Sequence, residues 1–109
     1  MTDKELLERA AMAAGIDGKY NSITNHFYLA DDQPDPGGFD RAWWQPLIDD
    51  GDALRLAVKL GLVISPNYWV EQPSLGVIEF TELDDGDDPY AATRRVIVRA
   101  AAEIGRNMK

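Results

Sequence analysis

Carboxylates are the most numerous side chains in this chain that could do acid–base or metal chemistry. Asp and Glu number 19 against 11 Lys and Arg, His26 is the single histidine, and there is no cysteine. That removes thiol nucleophiles, thiolate ligands and disulfides, and makes a cytoplasmic setting the expectation. A nucleophilic triad needs a nucleophile, a base and an orienting group held together, and one histidine among many Ser, Thr and Asp residues does not signal that. His26 falls in the strand-like run YNSITNHFYLA on its polar side, so a surface or hydrogen-bonded histidine is expected. Zinc would need a set of His and Cys ligands that the chain lacks.

Two aspartate runs, Asp49-Asp-Gly-Asp52 and Asp84-Asp-Gly-Asp-Asp88, invite a calcium or magnesium reading. Neither has the alternating ligand spacing and closing glutamate of a calcium loop. Both stand just before a helix, where an aspartate caps free N–H groups and complements the dipole. No metal, cofactor or catalytic residue is therefore expected. Paired carboxylates for hydrolysis would have to face each other in a cleft with separated pKa values, which spacing along the chain does not reveal. Gly37-Gly38 lacks the strand-to-helix setting of a phosphate loop. Arg95 and Arg99 share a helical face with Arg94 nearby and could track phosphates, but a net charge of −8 disfavours nucleic acid. Helix-surface arginines paired with acids are the simpler expectation.

The placement of the acids is more informative than their total. Residues 31–52 contain seven acids and one base, Arg41, and residues 71–88 contain seven acids and no base. Solvation and helix capping explain such runs, and a docking surface for a basic partner is the functional alternative. On that alternative the candidate partner-binding residues are Asp31, Asp32, Asp35, Asp84, Asp85 and Asp87, with Trp43 and Trp44 supplying an aromatic anchor. Adjacent tryptophans point in different directions, so one is expected in the core and the other outside, unless both pack beneath the loop.

The elements that would carry these residues can be read from pattern. Thr2 and Glu5 form a capping box ahead of an alanine-rich face made by Leu7, Ala10, Ala11 and Ala14, with Leu6 beside it and Gly15 at the end. Tyr20–Ala30 reads as a strand with Ile23, Phe27 and Leu29 inward, or as a hairpin turning at Asn21 and Asn25. DDQPDPGGFD, residues 31–40, is a loop by composition. Asp49 or Asp52 caps a helix whose stripe is Ala53, Leu56, Ala57 and Leu60, widened by Leu54 and Val58 so that burial on more than one side is expected. Leu62–Ile64 starts a strand that Pro66 demotes or breaks. Tyr68–Glu71 and Val77–Leu83 form a hairpin across QPSLG, with Ile78 and Phe80 inward. Asp88-Pro89 opens a last helix with Thr93, Ile97, Ala100, Ala101 and Ile104 on its apolar stripe.

The chain is expected to be one domain over residues 1–109, in the α+β class. Its small antiparallel sheet has about three to four strands and is accompanied by three helices, in the order α-β-α-β-β-α. No apolar run approaches the ~20 residues of a membrane span, and the start reads as an amphipathic helix and not a signal peptide. Oligomeric state is not legible.

Residues 44–60, W-x-P-L-x-D-x-G-D-A-L-R-L-A-V-K-L, and residues 88–105, D-P-Y-A-A-T-R-R-x-I-V-R-A-A-A-E-I-G, together resemble small proteins of tailed phages and prophages. That group is similar in layout to the NinX-like family, which pairs a Trp/Pro turn and helix with a C-terminal helix begun by Asn/Asp-Pro. The resemblance covers about a third of the chain and brings no catalytic residues with it. It implies a phage accessory protein made in the bacterial cytoplasm, with the motif residues structural.

The resulting expectation is a non-enzymatic protein that binds a host or phage protein with a basic surface, one version being inhibition of a nucleic-acid-handling bacterial protein by charge imitation. The alternatives are a small metal-dependent hydrolase using loop aspartates and a DNA-binding accessory factor using the C-terminal arginine helix.

Overall fold

A computed structural model describes residues 1–65, 69–80 and 88–108. The class is α+β, with three helices and short antiparallel strands. Helix α1, Asp3–Ala14, starts at the Thr2–Glu5 capping box and ends at Gly15, whose φ of 70° is the left-handed conformation expected of a glycine cap. A hairpin follows, β1 Gly18–Asn21 and β2 His26–Leu29, and β3, Trp43–Trp44, adds to β2. Helix α2, Asp50–Leu60, leads to β4 Val63–Ser65, β5 Trp69–Gln72 and β6 Gly76–Phe80, and the chain closes with α3, Pro89–Arg106.

The strands form two three-stranded sheets, β1-β2-β3 and β4-β5-β6. Helix α2 stands between the two sheets in the chain, separating β3 from β4. Each sheet packs its own apolar side chains against helices. Phe27 and Trp44 join Leu6, Leu7, Leu56 and Ile97 in the main core, while Val70 meets Val96 and Ala100 in a smaller one.

Helix α3 is the central element, packed against α1, α2, β5 and β6. Its buried residues surround much of the helix, from Val96, Ile97 and Val98 to Ala100, Ala101 and Ala102. Helix α2 is less buried than its sequence suggests. Ala53, Leu56 and Ala57 are in the core, but Leu54 and Val58 are 61% and 72% exposed. They extend the stripe in sequence, yet no element covers that flank among the described residues.

Two strand expectations also change. Tyr20–Ala30 is the hairpin: the Asn21 carboxamide accepts hydrogen bonds from the N–H groups of Ile23 and Thr24, and Asn25 takes a φ of 60°. Ile23 therefore sits at an exposed tip and not in the core. In β6 the register shifts opposite Val70/Glu71, where Glu79 pairs with Val70 and Val77 with Glu71, so Ile78 is an extra residue. The bulge breaks the inward-outward alternation. Ile78 packs on the smaller core and Glu79 reaches Arg99 of α3, which leaves Phe80 65% exposed instead of inward. Pro66, Tyr68 and Leu83 lie outside the described residues.

Gly105 sets the closeness of α3 to α1. A Cβ there would stand 1.9 Å from the Arg9 carbonyl oxygen, a main-chain atom that cannot swing aside. Alanine normally stabilises a helix interior by about 1 kcal/mol over glycine. Gly105→Ala should nevertheless destabilise by about 1–3 kcal/mol, the usual cost of overpacking, read from urea midpoints. Leu56→Ala should cost about 2–5 kcal/mol in the same assay. A Gly105→Ala protein more stable than the parent would show that the two helices do not meet this closely.

Candidate functional site

The loop between β2 and β3 is folded around one carboxylate. Asp35 accepts hydrogen bonds from the N–H of Gly37 at 2.8 Å, of Phe39 at 3.2 Å and of Arg41 at 3.0 Å. Its own carbonyl accepts from Gly38 N–H, and the left-handed φ values of Gly38 and Asp40 let the chain turn back. Upstream, Gln33 Oε1 accepts from Asp17 N–H, tying the loop to the residue that precedes β1. A stretch rich in proline and glycine is thereby fixed by side-chain bonds instead of a ladder.

Arg41 extends that centre to α2. It donates from Nε and Nη2 to both oxygens of Asp35 at 2.9 Å, and from Nη2 and Nη1 to Asp52 at 2.7 and 3.3 Å. Asp52 is completely buried and also accepts from Gln45 N–H at 2.9 Å and from Arg55 at 2.9 Å. Asp49 is the helix cap, accepting from Asp52 N–H at 2.8 Å. The aspartate run before α2 thus divides its work: Asp49 caps, Asp50 pairs with Arg94 of α3, and Asp52 anchors the loop.

Electrostatics follow from this geometry. The hydrogen bonds from the Arg41 side chain, aided by those from the Arg41 and Gly37 main chain, hold the Asp35 carboxyl well below the usual carboxylate range. Burial acts to raise Asp52, but hydrogen bonds from Arg41, Gln45 and Arg55 outweigh it and leave its pKa below the ordinary value. The same bonds, first to Asp35 and then to Asp52, push the Arg41 guanidinium further up. All three groups stay charged at neutral pH. These carboxylates are saturated with donors, which is the opposite of a general base awaiting a substrate proton.

The structure sorts the sequence candidates. Asp35, with its side chain 1% exposed, braces the loop and is not a docking charge. Trp44 is 1% exposed and packs edge-on against Phe27 at 5.6 Å, so it is a core residue and not the anchor. Trp43 is partly buried, with the Arg41 guanidinium 4.5 Å from its ring centroid. Asp31, Asp32 and Asp40 are exposed and unpaired among the described residues, and the three line a depression of about 400 Å³. Asp84, Asp85 and Asp87 lie outside the described residues.

Phe39 emerges in their place. It is 70% exposed, its N–H is held by Asp35, and the guanidinium carbons of Arg41 and Arg55 lie 5.8 and 5.9 Å from its ring centroid. Sequence reasoning overlooked both Phe39 and the hub. The available signal was Arg41, the sole base among seven acids in residues 31–52.

The remaining candidates are structural in their contacts. His26 Nδ1 meets the Gln45 side-chain amide, and its ring lies 6.2 Å from that of Tyr28. Arg94, Arg95 and Arg99 pair with Asp50, Asp3 and Glu79. Asp88 caps α3 by accepting from Tyr90 N–H. Comparison with protein-family profiles, with curated proteins and with solved structures finds no match to this chain.

The hub makes a signed pH prediction. Folded carboxyls with depressed pKa values stabilise the protein above their unfolded value of about 3.8, and that contribution is lost as pH falls through the folded values. Arg41→Leu leaves Asp35 buried without a cation and Asp52 with Arg55 alone, and should cost about 3–5 kcal/mol at pH 7. Loss of the Arg41 bonds lets burial raise both carboxyls relative to the parent, so acidification relieves the strain instead of adding to it. Urea midpoints at pH 7 and pH 3 should therefore converge between parent and variant. A gap that stays constant would mean that Arg41 acts by packing alone.

Proposed function

We propose that this protein is a non-enzymatic binding protein that docks on a basic protein surface through residues 31–43, with Phe39 as its aromatic anchor. The observation that carries this reading is the exposed Phe39 ring on a braced loop that also carries the exposed carboxylates of Asp31, Asp32 and Asp40, unpaired among the described residues. Exposed aromatics on ordered backbone are where binding free energy concentrates. Bracing by Asp35 and Arg41 reduces the ordering cost on association. The outward acids would speed encounter with a cationic partner more than they would tighten the final complex.

Four of the seven aspartates in residues 31–52 are engaged by arginines: Asp35, Asp49, Asp50 and Asp52. The outward charge of the segment is correspondingly smaller than its composition. Charge imitation of a nucleic acid would rest on Asp31, Asp32 and Asp40, together with acids outside the described residues. A phage or prophage accessory role in a bacterial host is the setting that the resemblance suggests for such a protein.

The test is capture from a bacterial lysate with the parent chain, Phe39→Ala and the triple variant Asp31→Asn/Asp32→Asn/Asp40→Asn as baits. Phe39→Ala should weaken the captured complex by about 2 kcal/mol or more without lowering the melting temperature, since the ring is mostly in water. The triple variant should reduce the association rate and its salt dependence together, because the Debye length falls from about 30 Å at 0.01 M to about 8 Å at 0.15 M. A partner retained equally by all three baits binds elsewhere, and the proposal then fails.

A further inference from the structure

A second cavity, of about 500 Å³, opens between the end of α1, the Pro34–Pro36 segment and α2. Trp44 and Leu56 are its buried apolar lining, Ile16, Pro34 and Pro36 add apolar wall, and the exposed Val58 also lines it. Its size and lining are those of a small-molecule site.

The polar side chains around it favour one ligand charge. Gln33 is committed at both ends, accepting from Asp17 N–H and donating to the Pro34 carbonyl. Both oxygens of Asp35 are occupied by Arg41 and by main-chain N–H groups. Arg55 hydrogen-bonds Asp52 through Nη2 and pairs with Asp49 at 3.7 Å, and its buried Nε has no acceptor among the described residues. Lys59, one turn further along α2, forms no ion pair among the described residues. Unused side-chain capacity in the lining is therefore donor capacity on two cations four residues apart, which lie on one helix face.

We propose that this cavity binds a small amphipathic carboxylate, its apolar body against Trp44 and Leu56 and its carboxylate at Lys59 and Arg55. The inference is separate from the proposed protein contact. Phe39 and Asp31, Asp32 and Asp40 do not line this cavity, so loss of partner capture and loss of carboxylate binding are distinguishable results.

The experiment titrates the full chain with 4-phenylbutyrate, 4-phenylbutan-1-ol and 4-phenylbutylamine at matched ionic strength. The readout is the indole N–H resonance of Trp44, assigned with Trp43→Phe and Trp69→Phe variants. Phenylbutyrate should shift that resonance saturably with a Kd of about 1 mM or tighter, as expected for a ligand of about a dozen heavy atoms. The alcohol should bind more weakly and the amine weakest. Lys59→Ala should weaken the carboxylate about three- to fivefold, the effect of a rim ion pair, and leave the alcohol unchanged, while Lys59→Arg restores it. Val58→Phe, at an exposed position, should block all three. No saturable shift, equal binding of acid and alcohol, tighter binding of the amine, or an unaffected Val58→Phe protein would each overturn the proposal. Equal binding of acid and alcohol would instead fit a neutral apolar side chain from a partner.

Discussion

The guanidinium of Arg41, clamped between the carboxylates of Asp35 and Asp52, is the interaction on which the surface loop, the entry to α2 and the seating of Trp43 all depend. Two carboxylates taken out of water are costly, and a single cation does not offset that by attraction alone. The rest comes from Arg55, which also reaches Asp52, and from main-chain N–H groups: three reach Asp35 and one, from Gln45, reaches Asp52. Low dielectric strengthens each of these bonds, and it would make each orphaned group expensive if the arrangement slipped. The cluster therefore selects one loop conformation more than it adds net stability.

That selection links the fold to the proposed binding role. A segment with prolines at 34 and 36 and glycines at 37 and 38 has no ladder to hold it, yet most of its turns are fixed through Asp35. Phe39 and the outward carboxylates are presented on a frame that needs little reordering when a partner arrives. The same frame forms one wall of the cavity, so the two sites share a brace while offering different chemistry. The depression lined by Asp31, Asp32 and Asp40 is anionic, and the cavity against Trp44 and Leu56 is apolar with Arg55 and Lys59 in its lining.

Helix α3 supplies the scaffold for this arrangement. Its apolar residues meet α1 on one side and β5 on another, and Gly105 permits close approach to the α1 main chain. Its arginines bind the other elements at their ends: Arg94 donates to the Leu47 carbonyl and to Asp50 at the start of α2, Arg95 reaches Asp3 at the start of α1, and Arg99 reaches Glu79 on β6. Asp3 and Asp50, in the first turns of α1 and α2, complement the helix dipoles and find their cations on α3, while neighbouring residues cap the free N–H groups.

Local features were legible because they depend on neighbours in sequence. The Thr2–Glu5 box, the Asp49 and Asp88 caps, the glycine ends of α1 and α2, the α+β class and the order of its helices all follow from patterns a few residues long. What depended on distant partners was not legible. Leu54 and Val58 match the stripe of α2, but exposure depends on which flank another element covers. Phe80 alternates correctly, yet one extra residue opposite Val70/Glu71 reverses its face. Asp31, Asp32 and Asp35 are alike in composition, and only the fold brings Arg41 onto the third and leaves the first two in water. Charge and hydrophobicity are properties of the residue, whereas burial and pairing are properties of the space around it. A chain alone specifies the first, and tertiary packing decided which aspartates became structure and which remained surface.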